Sequence, residues 1–323
     1  MRKRQKKKKV FKLVSAFIYR HIALRGSAHS LCIKFGKCFG REYKLPWFML
    51  AVSLLGFSFF YLVPFFVSFI YSVVDNPINM EFCGLMNYRQ LFQNSFFLRG
   101  LKNTAVFLAV SVPLNMVLSL CVALVIRNLK SYSNFFNLIF LIPLAVPSAT
   151  SAFFWENFFG LHGTLNKFLA VFHLGRIDWL NDRYGMIVMV IIFIWKNIGY
   201  NMALFISGLS SIPEEYYECA DVEGAGKGWR LKNITLVYLS PTTFLVLIMT
   251  FVNSFKVFKE IYIITGEYPP DSLYVLQHYM NNMFLSLNYS KLVSATYILT
   301  TAIVLFVVCI FRAEGRFSDH LHY

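Results

Sequence analysis

Residues 209–233 read LSSIPEEYYECADVEGAGKGWRLKN and run directly into ITLVYLSPTT at 234–243. The stretch lies between two long apolar runs. It opens with acids (Glu214, Glu215, Glu218, Asp221, Glu223), passes through Gly224, Gly226 and Gly228, and closes on Lys227, Arg230 and Lys232. Ser211 and Glu214 have the S-x-x-E spacing of a capping box, with Pro213 in the first turn, where a missing N–H costs nothing. Carboxylates crowding the start of a helix are favoured by its dipole. The pattern predicts a short acidic helix, a glycine turn that ends it and a basic return to the membrane. A plain connector between two spans needs neither the glycine spacing nor five acids, so the stretch has the character of a docking surface.

The rest of the chain says what kind of protein carries this loop. Of 323 residues, 57% are apolar and only 15% are charged, whereas a soluble domain carries about 25% charged residues. The charges cluster between neutral runs near the roughly 20 residues that a bilayer core requires. Six such runs are expected to span: Trp47–Val74, Thr104–Ile126, Phe135–Trp155, Met186–Leu209, Ile234–Phe255 and Leu292–Phe311. Lys196 is the one formal charge inside them. The runs are too long for transmembrane strands and lack a period of two. The fold class expected is an all-α polytopic membrane protein of six helices.

Orientation follows from Lys and Arg. The first 46 residues hold 14 of the 31 basic residues against one acid, Glu42, which puts both termini in the cytoplasm. The expected plan is a basic segment at 1–44, a transmembrane domain at 45–312 whose cytoplasmic loop is 209–233, and a short tail at 313–323. Lys256 and Lys259 fall either in the third outer loop or on the outer end of the fifth helix. The net charge of +15 arises mainly in the N-terminal segment; beside a first span it fits anionic lipid headgroups rather than nucleic acid. That segment is either an amphipathic surface helix, with Val10, Phe11, Val14, Phe17, Ile18 and Ile22 on one face, or an unstructured tail. The six cysteines form no C-x-x-C pair, and the seven histidines show no metal-ligand spacing. Asp178 and Asp182 could be paired carboxylates, but a solvated loop edge, or a surface for an extracellular partner, is the favoured reading. GAGKG at 224–228 lacks the first glycine and the Ser/Thr of a phosphate-binding loop, so no nucleotide site is expected in this chain.

The loop resembles that of permease subunits of binding-protein-dependent ABC importers, which carry E-A-A, three residues, G, nine residues and I-x-L-P. Here the pattern stands as Glu218-Cys219-Ala220, then Gly224, then Ile234-Thr235-Leu236-Val237. Cys219 replaces the first Ala, and Val237 replaces the Pro. The Val is expected to leave the start of the fifth span less kinked, with Pro241 one turn later. FCGLMNY at 82–88, NT at 103–104, FLIPLAVPSATSAFFW at 140–155, G-x-L-N at 163–166, DWL at 178–180 and W-x-x-x-G-x-N-M at 195–202 are similar to the carbohydrate-uptake branch. ITGEYPPD at 264–271 departs from the glycine-rich segment of many relatives. The resemblance implies a type I importer core in a bacterial or archaeal cytoplasmic membrane. Its partners would be a second permease in a heterodimer, two cytoplasmic ATPase subunits that bind ATP–Mg, and an extracellular substrate-binding protein. It assigns Glu218, Cys219, Ala220, Gly224, Ile234 and Leu236 to ATPase coupling, and it implies no catalytic residue and no cofactor in this chain.

Polar groups inside the spans are expensive and mark either a substrate path or hydrogen bonding between helices. Lys196, Asn197, Asn201 and Asn253 are the candidates for the path, with interhelical bonding or a snorkelling lysine as the competing reading. Asn115 and Ser119 are assigned to helix packing. A sugar, oligosaccharide or related polyol is the expected substrate. The alternative is a self-contained secondary transporter or channel for a small polar solute, which would show internal repeats or buried acids and histidines in its spans.

Overall fold

The computed structural model describes residues 44–76, 78–129, 133–181 and 183–321. The basic segment up to residue 43, and Asp182 of the suggested carboxylate pair, lie outside them. The chain divides between Val67 and Ser68 into two units. Among the described residues, α1 (Lys44–Phe57) passes through a π turn at Ser58–Leu62 into α2 (Val63–Ser72), within which the first unit ends. No residue in the apolar window of this span is buried.

The second unit is built from helices, because a backbone surrounded by apolar side chains must satisfy its own hydrogen bonds. In order they are α3 (Met86–Gln93), α4 (Ser95–Asn128), α5 (Ser133–Ala145), α6 (Ser148–Phe159), α7 (Thr164–Val171), α8 (Gly185–Ser210), α9 (Glu214–Val222), α10 (Ser240–Ser254), α11 (Phe258–Thr265), α12 (Leu276–Leu285) and α13 (Tyr289–Leu321). Four helices among the described residues are long and apolar enough to cross a membrane, and six spans result if each of two bent pairs counts as one. The six-span expectation holds in that form, and two of the spans are not straight. The third bends by 95° between α5 and α6, where Pro147 stands at the N-cap of α6. The fifth bends by 67° at Leu239–Ser240. This corrects the expectation of a less kinked start: Pro241 has no N–H to donate to Val237, four residues back, so the bend does not need a proline at 237. Pro113, by contrast, sits inside the continuous α4. The last helix continues to Leu321, ten residues past the expected end of its span.

The central helix is α8, which packs along α4, α5 and α10. Its approach to α5 is set by Gly199, where a Cβ would overlap the Phe140 carbonyl. Polar seams fix its register. Ser119 Oγ donates to the Ile198 carbonyl (3.2 Å) and is paired with Asn115 (3.0 Å), while Asn201 Nδ2 donates to Thr250 Oγ1 on α10 (2.7 Å). The packing role assigned to Asn115 and Ser119 holds. Around α8 lie two apolar clusters. One joins Phe107, Trp155, Phe159, Phe193, Ile261 and Leu273, and the other joins Ala123, Ile126, Met202, Phe205, Leu209, Ile234 and Leu239 near the 209–233 loop.

The short motifs noted in the sequence hold backbone segments in place. Asn87 Nδ2 donates to the carbonyls of Ser72 and Val74. Asn103 Nδ2 donates to Tyr274 O, and Thr104 Oγ1 accepts from Leu276 N. Asn166 is the densest node: its amide donates to Gly160, Leu161 and Ile177 carbonyls, and its oxygen accepts from Ile177 N and Trp179 Nε1.

On α12, outside the spanning helices, His278 is fully buried among Phe258, Tyr262 and Tyr274. Its Nδ1 accepts from Val275 N (3.2 Å), which requires an unprotonated nitrogen. Burial pushes its pKa down to about 4 and the Tyr274 and Tyr279 hydroxyls up to about 12.

Two outcomes are expected. Gly199→Ala forces α5 from α8 and destabilises the chain by at least the 1–3 kcal/mol of an overpacked core, read as a lowered Tm in detergent. His278 is neutral when folded and ordinary when unfolded, so the stability it contributes is complete above its unfolded pKa of about 6.5. That stability is lost progressively as pH falls toward 4. A Tm series between pH 7 and 4.5 should show the loss, and His278→Gln should flatten it.

Candidate functional site

Two regions carry the polar and exposed residues singled out in the sequence. The first is the loop after α8. Its helix begins at Glu214, with Pro213 as N-cap and no side-chain cap bond. The capping box is therefore not formed: Ser211 Oγ donates instead to the Gly208 carbonyl (2.7 Å), closing the end of α8. Glu214 and Glu215 lie in the first turn of α9, where the dipole favours them. The helix ends in a Schellman motif. Gly224 N donates to Asp221 O (3.0 Å), Ala225 N donates to Ala220 O (2.9 Å), and Gly224 takes φ +77°, a conformation that costs other residues about 1–2 kcal/mol. Gly226 and Gly228 have ordinary negative φ, and Gly226 caps the single turn Lys227–Arg230. A π turn at Leu231–Thr235 leads into the fifth span.

The six residues assigned to coupling divide by direction. Glu218, Cys219, Gly224 and Leu236 are exposed, whereas Ala220 and Ile234 are buried in the cluster around Leu209. Two residues that the spacing does not mark complete the loop. Tyr217 is its clamp: Arg127, in the last turn of α4, stacks over the ring (5.0 Å) and donates to the hydroxyl (3.3 Å). That hydroxyl also bonds Thr235 Oγ1 (2.9 Å). Arg230 pairs with Asp221 across the turn. Val222 is 90% exposed, an apolar knob among acids. The only sequence signal for it was a β-branched apolar residue within an acidic run.

The second region is an open pocket of about 100 Å³ between α5, α6, α8 and the α10–α11 segment. Lys196, Asn197 and Asn253 line it, so three of the four path candidates come together. Asn201 does not reach it and is taken up by Thr250, as the packing reading has it. Asn197 Nδ2 donates to Phe193 O (2.9 Å). Leu144, Ile192, Phe193 and Val257 give the apolar lining.

Lys196 neither snorkels nor stands alone. It forms an ion pair with Glu260 on α11 and donates to Ser148 Oγ (3.2 Å) on α6. The Glu260 side chain is 2% exposed and that of Lys196 19%. The expectation of spans free of acids is corrected here. The fifth span continues past Phe255 through a 3-10 turn into α11, so Lys256, Lys259 and Glu260 are helical, and Glu260 turns inward to Lys196. Hydropathy ends the run at Lys256 because it counts the charges at 256, 259 and 260 and not the buried pairing of Glu260 with Lys196. Among the described residues, no group of three or more His, Cys, Asp or Glu side chains is placed to hold a metal ion.

Residues 115–321, which include both regions, match the family model for the binding-protein-dependent transport system inner membrane component. The chain is 30% identical over 283 residues to the trehalose/maltose transport system permease protein MalF of Thermococcus litoralis, covering 86% of this chain and 95% of that protein. It is 29% identical over 279 residues to the sn-glycerol-3-phosphate transport system permease protein UgpA of Yersinia pestis, covering 84% and 94%. Its fold is that of a chain in a bacterial ABC transporter involved in the import of the acidic polysaccharide alginate, with TM-score 0.77 at 22% identity over 88% of this chain and 99% of that one. The family match spans most of the bundle and agrees with the apolar helices already described. The chain belongs to the inner-membrane components of binding-protein-dependent transport systems, and it is a multi-pass permease subunit of an ABC importer that works with a substrate-binding protein.

Proposed function

We propose that this permease imports a sugar, an oligosaccharide or a related polyol, and that it forms half of the path. The observation that carries this reading is the convergence of Lys196, Asn197 and Asn253, from α8 and α10, on one pocket between spans. Amides and ammonium groups beside apolar walls suit a ligand of many hydroxyls on a carbon ring. Relatives named for trehalose/maltose, lactose and arabinooligosaccharide transport support the substrate class. The other half comes from a second, similar permease. Two separate cytoplasmic ATPase subunits bind ATP–Mg and perform the hydrolysis, and this chain performs no chemistry. Loop 209–233 faces the cytoplasm in this reading, as do the basic segment at 1–44 and the tail from 313.

Coupling is a mechanical matter. The outward side of α9, with Glu218, Cys219 and Val222, docks on an ATPase subunit. Leu236 flanks that contact, and Gly224 permits the turn that shapes it. Ala220 and Ile234 serve from the inside by anchoring the loop to the bundle. The Schellman turn, the Arg230–Asp221 pair and the Tyr217 clamp make the loop stiff, so a displacement of α9 passes to α4 through Arg127 and to the fifth span through Thr235. A floppy loop would absorb it. ATP drives the cycle because it binds preferentially to the closed ATPase pair.

Purification of the tagged chain from its host in mild detergent tests this assembly. A sister permease, an ATPase and a binding protein should co-elute, whereas a stable homo-oligomer alone would overturn it in favour of a self-contained transporter. Val222→Asp and Glu218→Lys change exposed side chains. Each should lower uptake at least tenfold and strip the ATPase from the eluate, with the membrane level of the chain unchanged. Glu260→Gln leaves Lys196 without its counter-ion and should destabilise by about 3–5 kcal/mol, whereas Lys196→Met with Glu260→Leu should cost much less; Tm values of the purified variants decide.

A further inference from the structure

We propose that the pocket selects an acidic saccharide, one that bears a carboxylate or phosphate group, over a neutral one; this rests on the pocket being part of the substrate path. The charges on the page lead there. Three ammonium groups and one carboxylate line the pocket: Lys196, Lys256, Lys259 and Glu260. The carboxylate is already used, since Glu260 is buried against Lys196 and the two cancel. Lys256 and Lys259 are exposed, and among the described residues neither stands in an ion pair. The Asn253 oxygen accepts from Lys256 (2.7 Å), which engages one of its three donors and none of its charge. Three residues apart on the continuing helix, the two lysines share a face.

Among the described residues, two positive charges without an ion-pair partner therefore stand at a cavity whose other side is Leu144, Ile192, Phe193 and Val257. Apolar walls focus such a field and raise the local concentration of anions. A neutral saccharide would be served by Asn197 and Asn253 and would leave both ammonium groups without a counter-charge. An acidic saccharide supplies one, and the carboxylate and phosphate forms share that chemistry. Glu260, held by Lys196, keeps its charge off the incoming anion.

The test is uptake by host cells of labelled digalacturonate, trehalose 6-phosphate, trehalose and lactose, each corrected for the residual uptake of a strain that lacks this chain. The two acidic probes separate carboxylate from phosphate. The proposal expects uptake of at least one acidic probe, lowered tenfold or more by Lys256→Gln with Lys259→Gln while the chain stays in the membrane with its ATPase bound. Uptake of neutral probes alone overturns the acidic selection and leaves the sugar reading standing. Equal loss of acidic and neutral uptake in the double variant also overturns it and assigns the lysines to lipid headgroups. If no probe of either kind enters, the sugar reading beneath it falls too.

Discussion

A carboxylate with 2% of its surface exposed exists in this bundle because an ammonium group meets it. The transfer of an unpaired carboxylate out of water costs several kcal/mol, so the Lys196–Glu260 pair constrains everything around it. It ties α8 to α11, and by doing so it requires the fifth span to continue as helix beyond Phe255. That continuation turns Lys256 and Lys259 from loop residues into one wall of a pocket. It also carries Ile261 into the apolar cluster of Phe107, Trp155 and Phe193. Ser148 on α6 joins the same ammonium, so three elements converge on one charge. The pair adds little net stability for this; what it fixes is geometry.

The helix that carries Lys196 also connects the two regions of interest. With 26 residues, α8 is about 39 Å long. Lys196 and Asn197 line the pocket midway along it, and Leu209 at its end packs in the cluster that holds Ala220 and Ile234. Gly199 and Asn201 lie between, the first seated on α5 and the second bonded to α10. The helix is thus held closely on two sides. The loop is joined to the bundle in the same manner, by the Tyr217 hydroxyl and the buried Ala220 rather than by chain connectivity alone.

Much of this was legible in the sequence, and the failures share one cause. Long neutral runs gave the helices, because lipid leaves the backbone few choices. The spacing from Glu218 to Leu236 identified the loop and the family. Of the four polar residues singled out for a path, Lys196, Asn197 and Asn253 line one pocket and Asn201 does not. What failed depended on a partner distant in sequence. Glu260 reads as a loop acid until Lys196, 64 residues earlier, is placed beside it. Ser211 has the spacing of a cap, but a helix that starts one residue after Pro213 leaves it to close α8 instead. The clamp on Tyr217 requires Arg127, which no local pattern connects to it. The bend at Leu239 is half legible: Pro241 marks its place, but the size of the bend shows only in the folded helix.

The residues that made the family recognisable are for the most part not those that meet a ligand. Asn87, Asn103, Thr104 and Asn166 spend their hydrogen bonds on backbone. Ala220 and Ile234 are buried, and Gly224 supplies a backbone angle. Such positions hold segments between the spans and one stiff loop in place, and this task is the same for any cargo. Residues free to distinguish cargoes must instead have side chains that reach open volume and are not consumed by the scaffold. In the pocket, Asn197 gives a donor to Phe193 O, Asn253 gives its oxygen to Lys256, and Lys196 is held by Glu260 and Ser148. Among the described residues, Lys256 keeps two of its donors and Lys259 keeps all three. In the proposed path, the positions left to distinguish cargoes are those at the junction of α10 and α11, in a stretch where the sequence taken alone marks only the end of a hydrophobic run.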